Sequence, residues 1–424
     1  MNVLVVGAGA REHAIAWKLR QSSRLGRLYM APGNAGTASV AINLPLAATD
    51  VEGLMKAALS HSIDLTVVGP EQPLALGIVD RFRQEGLAIA GPTAAAARIE
   101  SSKVFAKGLM EKHGIPTAKA RVFSAYQEAR SYVNSHGLPL VVKADGLAAG
   151  KGVFVCHTRD DAIRALERCM VQRDFGSSGD RVLVEECLVG REVSVFAFTD
   201  GKALSPLVAA CDYKRLLDGD RGPNTGGMGS YSPPEFWTPE LAEEVRHTIM
   251  EPTVAALAQE GCPFTGVLYA GLMLTEEGPR VLEFNCRLGD PEAQVVLPRF
   301  GSDLLEVFLA LAEGRLTPTE TQWKDEACVG VVVASQGYPD EYRRGLPVHG
   351  LDELAPDVIL FHAGTRLDAA QGAGLDSVLT DGGRVLTVAA VGRDLSEARR
   401  KVYQNIGHIR FQGAIYRKDI AQVK

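Results

Sequence analysis

Apolar residues open the chain as an unbroken run, Val3-Leu4-Val5-Val6, with no polar position to mark an outward face. Such a run reads as a strand covered on both sides, as in a parallel sheet. Gly7-Ala8-Gly9 follows, and then Ala14, Ile15, Trp17 and Leu19 recur at helical spacing. The strand Leu65-Thr66-Val67-Val68 runs into Gly69-Pro70-Glu71, and Ala88-Ile89-Ala90 runs into Gly91-Pro92. Strands alternating with helices predict a parallel, helix-covered sheet, forming a first α/β domain over residues 1–101.

The pattern then changes. Residues 102–113 read as a helix, capped by Ser101 or Ser102 and stopped by Ile115-Pro116-Thr117. Strands at 138–143, 182–186, 190–195 and 281–285 alternate with two glycine-rich loops, which predicts a mixed central domain over 102–325. A further apolar run at 328–334, with turns at Gly337-Tyr338-Pro339 and Asp381-Gly382-Gly383, predicts a small C-terminal α+β domain over 326–424. The fold class is therefore multidomain α/β and α+β.

Composition narrows the function classes. With 46% hydrophobic and 23% charged residues, the 424-residue chain suits a globular enzyme. Net charge is −6 and no long basic run occurs, which argues against broad nucleic-acid binding. The cysteine count is odd, at 7, with no CxxC pair, the pattern of free thiols in a reducing compartment. No basic leader precedes Val3 and no stretch approaches a membrane span, so a cytoplasmic enzyme is expected. HExxH and GxSxG are absent, and the 9 histidines show no metal-ligand spacing.

Four constellations carry candidate chemistry. Gly7-Ala8-Gly9-Ala10-Arg11-Glu12 sits between strand and helix, where free backbone N–H groups hold phosphate and Arg11 adds a charge. Glu12 stands where a dinucleotide fingerprint has its third glycine, and a tight turn without ligand fits these residues equally well. Lys143-Ala144-Asp145-Gly146-Leu147-Ala148-Ala149-Gly150-Lys151-Gly152 suits a loop folding over a polyphosphate. It is not a P-loop, because three residues separate Gly146 from Gly150 and no Ser or Thr follows Lys151. On the strand 281–285 alternation sends Glu283, Asn285 and Arg287 to one side, and Leu282, Phe284 and Cys286 to a core. A carboxylate and an amide oxygen there suit Mg²⁺, and a solvated polar face is the plainer alternative. Finally Asp212-Tyr213-Lys214-Arg215 precedes Gly222-Pro223-Asn224-Thr225-Gly226-Gly227-Met228-Gly229, either a cradle for phosphate or acyl oxygens or a long hairpin loop.

Taken in order, these segments closely resemble the phosphoribosylamine–glycine ligase family of ATP-grasp enzymes. Gly9–His13, Pro32-Gly33-Asn34-Ala35-Gly36 and Val68-Gly69-Pro70-Glu71 are similar to its N-terminal substrate loops. Ser102-Lys103, the loop from Lys143, Pro223–Gly229 and Leu282–Glu292 are similar to its ATP-grasp core. Where many members carry Gln-Asp-His-Lys, this chain has Cys211-Asp212-Tyr213-Lys214. The resemblance implies an ATP-grasp core with a mobile lid at about residues 121–190. It implies that Lys103, Lys143 and Lys151 meet ATP phosphates, that Glu185, Glu186 and Leu188 belong to a hinge meeting adenine by backbone, and that Glu192 meets ribose. Mg²⁺ or Mn²⁺ would bind Glu283 and Asn285. Glycine and 5-phosphoribosylamine would be the other substrates. Gly9, Arg11, Glu12, Asn34, Glu71, Asn224, Thr225, Gly226 and Gly227 would line their sites, and Lys143, Asp212, Lys214, Arg287 and Asp290 would serve catalysis. A monomer or homodimer is expected. The rivals are an NAD-dependent dehydrogenase, another ATP-grasp member such as a carboxylase or a peptide-forming ligase, and a non-catalytic nucleotide binder.

Overall fold

The computed structural model describes residues 1–148, 151–368 and 377–422. Gly150, counted above in the first glycine-rich loop, lies outside the described residues.

Five parallel strands form the N-terminal sheet, in the order Ile42–Asn43, Leu28–Pro32, Val3–Gly7, Leu65–Val68 and Ile89–Ala90. Val3 and Val5 enter one core and Leu4 and Val6 another. Both cores extend into the centre of the molecule, through Phe196 and Val267 on one side and Val195 and Leu268 on the other. That double coverage is why the opening run carries no polar residue. Leu28–Pro32 was not singled out from sequence, since its residues Leu-Tyr-Met-Ala-Pro include no β-branched side chain.

The central sheet has nine strands. Its path runs Gly278–Asn285, Gly266–Thr275, Arg191–Thr199, Val208–Asp212, Gly229–Ser232, Ala327–Ser335, Arg384–Gly392 and Val358–His362, and the ninth strand, Ala414–Ile415, pairs with Ala327–Ser335 off this path. Ala327–Ser335 pairs antiparallel with Gly229–Ser232, so the sheet crosses the boundary expected at 325/326 without a break. Every residue of that strand is buried, and a strand so apolar needs neighbours at both edges and on both faces.

A separate four-stranded antiparallel sheet stands over this body. Its order is Ala120–Phe123, Val182–Glu186, Leu140–Ala144 and Val153–Cys156. Phe123, Val133, Leu140, Val142, Leu166 and Val184 belong to a core drawn from this unit alone. Between the two sheets the helix Lys103–His113 begins at Ser102, whose hydroxyl accepts from the Phe105 N–H. The helix stops at Gly114, with φ +69°, before the Ile115-Pro116 pair is reached. No helix among the described residues is long and apolar enough to cross a membrane.

Candidate active site

Strict alternation on Gly278–Asn285 fails at one residue. Gly271 pairs with Glu283 and Leu272 with Val281, so Leu282 is bulged out of the ladder. Contrary to the sequence expectation, Leu282 is outside the core, and Val281 joins Phe284 and Cys286 there instead. The bulge has a use: the Leu282 carbonyl accepts a hydrogen bond from Lys143 Nζ at 2.9 Å, across the gap between body and upper sheet.

Glu283 and Asn285 keep the expected side. Burial pushes the Glu283 carboxyl up, but Lys214, Lys103, Lys143 and Arg287 outweigh it and hold the group below its ordinary value. Thus the strand carboxylate faces both predicted phosphate lysines from the opposite wall of the cleft. Arg287 Nη2 donates to Asn285 Oδ1 at 3.2 Å and to Glu100 Oε1 at 2.8 Å, while its Nε reaches Glu71 Oε2 at 3.3 Å. Among the described residues no three or more His, Cys, Asp or Glu gather into a metal cage. An ionised carboxylate beside one amide oxygen still fits a hard divalent ion that takes its other ligands from phosphates and water.

The upper wall is built around Asp145 and Glu185. Asp145 Oδ1 accepts from Ser102 Oγ at 2.9 Å and from the Val104 N–H at 2.8 Å, which ties the glycine-rich loop to the start of the helix bearing Lys103. Lys103 Nζ donates to the Gly146 carbonyl at 3.0 Å. The buried Glu185 carboxylate receives Lys143 at 2.6 Å and Lys107 at 3.0 Å. Glu185 was expected only for its backbone, and Lys107 was not expected at all. Glu186 Oε1 accepts from the Lys119 N–H at 2.9 Å, and the segment continues through Leu188 to Arg191–Thr199. Lys151 Nζ reaches the Pro339 carbonyl at 3.3 Å.

Lower in the cleft, Lys214 Nζ pairs with Glu192 Oε2 at 2.6 Å and lies 3.9 Å from Asp212 Oδ1. Burial pushes the Asp212 carboxyl up to about 7 against the pull of Lys214, with Glu292 and Glu192 adding to the rise. Tyr213, the departure from the family pattern, turns away from these groups. Its ring lies under the Arg417 guanidinium at 4.8 Å, and its hydroxyl accepts from the Ala421 N–H.

Asn224 ends the hairpin Arg215–Leu217/Arg221–Asn224, so the loop contains the hairpin that was the plainer expectation. Thr225 Oγ1 donates to the Lys214 carbonyl at 2.9 Å and accepts from the Gly227 N–H at 2.9 Å. Gly226 is gripped from the C-terminal third: its N–H donates to Tyr338 Oη at 2.8 Å, and its carbonyl accepts from Arg384 Nη1 at 2.6 Å. Arg384 also pairs with Asp290 Oδ2 at 3.1 Å, and Gln294 donates to Asp290 Oδ1 at 2.8 Å. Tyr338 was read only as part of a C-terminal turn, and Arg384 was given no role in the site. No local spacing marks them, since their partners lie about a hundred residues away or more.

The first constellation folds on itself. Glu12 Oε2 accepts from the Gly9 N–H at 2.6 Å, the back-reaching half of a capping box whose other half glycine has no side chain to make, and Oε1 takes Arg11 Nε at 2.6 Å. A Cβ on Gly7 or Gly69 would strike this side chain. Glu12 thus fills the space a dinucleotide fingerprint leaves for close packing and puts a carboxylate where the pyrophosphate would sit, which removes the dehydrogenase reading. Asn34 Nδ2 donates to the Ala8 and His362 carbonyls at 2.8 Å each, and its Oδ1 accepts from the Thr37 N–H at 3.0 Å. Both amide hydrogens are thus taken, and the side chain ties its loop to the first βα turn and to the C-terminal third.

Similarity to known proteins agrees with this arrangement. Family models described as the phosphoribosylglycinamide synthetase N domain, ATP-grasp (A) domain and C domain match residues 1–100, 101–293 and 328–423. A phosphoribosylamine–glycine ligase of Halalkalibacterium halodurans is 49% identical over 421 residues, covering 99% of this chain and 96% of that protein. A crystal structure of phosphoribosylamine–glycine ligase from Thermotoga maritima superposes with a TM-score of 0.86 at 32% identity, covering 99% of this chain and 100% of that one. The biotin carboxylase of Campylobacter jejuni, at 14% identity and TM-score 0.73 over 99% of this chain and 94% of that one, shares the fold. The chain belongs to the phosphoribosylglycinamide synthetase family of ATP-grasp ligases.

Proposed function

We propose that the protein joins glycine to 5-phosphoribosylamine with ATP, giving glycinamide ribonucleotide, ADP and phosphate. The observation that carries this is the placement of Glu283 among Lys103, Lys143, Lys214 and Arg287, in the gap between the body and the upper sheet. A carboxylate does not form an amide in water until its oxygen is made a leaving group. In this reading a glycine carboxylate oxygen attacks the γ-phosphorus, the bond to the β-phosphate oxygen breaks, and ADP departs. The amine of phosphoribosylamine then attacks the glycyl phosphate carbon, the acyl C–O bond breaks, and phosphate leaves.

Each residue set has a task. Lys103 and Lys143 bind and orient the phosphates and offset charge as it builds up during transfer. Glu283 and Asn285 would hold a divalent ion, which when bound would supply Lewis-acid neutralisation of the same charge. Asp212 is the cleft carboxyl that changes charge near neutrality and suits the proton shed by the attacking amine. Asp290 and Arg287 orient glycine, beside the Gly226-Gly227 turn that Tyr338, Arg384 and Thr225 hold in place. Arg11, held between Glu12 and the Leu288 carbonyl, faces the phosphoribosyl end. Acyl phosphates hydrolyse, so the upper sheet excludes water by closing. The protein works in the cytoplasm as a monomer or homodimer.

The decisive experiment is phosphate release with ATP and glycine, with and without phosphoribosylamine. Sustained release that requires all three supports the reading. Release with a different carboxylate and no dependence on the amine would overturn it.

A further inference from the structure

Lys107 lies one helical turn beyond Lys103 and is 3% exposed. Its Nζ donates to Thr117 Oγ1 at 2.8 Å and to the Ala118 carbonyl at 2.8 Å, and it meets Glu185 Oε1 at 3.0 Å. Those acceptors use all the hydrogens of an ammonium group. Lys143 meets the other oxygen of the same carboxylate at 2.6 Å and the Leu282 carbonyl at 2.9 Å. Among the described residues these two contacts leave Lys143 one hydrogen.

The charge count decides what a phosphate would feel. Two ammonium groups share one carboxylate, so the buried cluster is a net cation. Without Lys107, Glu185 and Lys143 form a neutral pair whose fields largely cancel beyond contact distance. In a site with little water that difference is large, because a monopole outreaches a dipole. Burial lowers the Lys107 ammonium below its ordinary value, and the charge of Glu185 opposes that fall.

We propose that Lys107 is a positioning residue that neutralises Glu185, leaving Lys143 its full positive charge for a nucleotide phosphate. This rests on the ATP reading above, and the test separates the two. ATP is titrated calorimetrically into the intact protein and its variants, without glycine. Lys107→Gln keeps amide donors for Thr117 and Ala118 but removes the charge, and should weaken ATP binding about tenfold. Lys107→Gln combined with Glu185→Gln restores the net cation and should return affinity to within about threefold of the intact protein, as should Lys107→Arg. A packing role for Lys107 predicts no such recovery.

Failure of the intact protein to bind ATP would overturn the ligase reading and this proposal together. Binding by the intact protein with Lys107→Gln unchanged, or a double variant no tighter than the single one, overturns this proposal alone. Should Lys107→Gln not fold, Lys107→Arg and the double variant Lys107→Met/Glu185→Gln both retain the net cation. Both must then bind ATP, and loss of binding in either is an equally clear refutation.

Discussion

The upper sheet and the N-terminal sheet are built on opposite plans. Val3–Gly7 has one face in each of two cores, and both cores run on into the central strands. The upper sheet keeps a core of its own, and its ties to the body described here are polar: Lys143 to Leu282, Asp145 to Ser102 and Val104, Lys107 to Glu185. Moving the first would expose apolar surface. Moving the second exchanges charge-assisted hydrogen bonds for water or for phosphate oxygens, at a net cost of about 1.5–3 kcal/mol each. One side of the cleft is therefore fixed and the other is able to open, a division suited to admitting a nucleotide and then excluding water.

The largest test of this contrast lies on the fixed side. Glu283→Ala should lower metal-dependent turnover roughly a thousandfold, with the thermal unfolding midpoint retained. ADP release at saturating magnesium measures it, and turnover near the intact level would remove Glu283 from the site. Next comes the movable side. Lys143→Ala loses both a phosphate contact and the bond to Leu282, and should reduce kcat about a hundredfold. A near-normal kcat would mean that this ammonium serves only to seat the upper sheet.

Phe123→Ala sharpens the comparison without touching chemistry. It empties a site in the separate core, where the Phe123 ring lies tilted against Tyr132 at 5.1 Å, at a local cost of about 3–5 kcal/mol. Hydrogen exchange should speed up across the upper sheet and stay unchanged in Val3–Gly7 and Leu65–Val68. Uniform loss of protection would show that the two regions unfold as one.

The smallest effect concerns Asp212. Burial raises its carboxyl from 3.8 to about 7, so folding takes up a proton between those values. Its contribution to stability is complete on the acid side of the ordinary value and is lost as pH rises through about 7. Asp212→Asn should flatten this part of the stability profile, read as unfolding midpoints from pH 5 to pH 8. An identical slope in the variant would show that Asp212 is ionised throughout.

Sequence by itself determined the parts that depend on neighbours along the chain. The buried run at Val3 required a doubly covered strand, Ser102 required a helix start, and Glu283 with Asn285 required a shared strand face. Those follow from periodicity and from side-chain chemistry at fixed spacing. Tertiary structure alone decided the rest. It bulged Leu282 so that a carbonyl meets Lys143, paired Lys107 with Lys143 on one carboxylate, and brought Tyr338 and Arg384 onto Gly226. It also turned Glu12 back onto its own helix start and Asn34 onto the Ala8 and His362 carbonyls. A charged or amide group takes whichever partner lies within about 3 Å. Which partner that is depends on how distant strands stack, and spacing along the chain does not encode it.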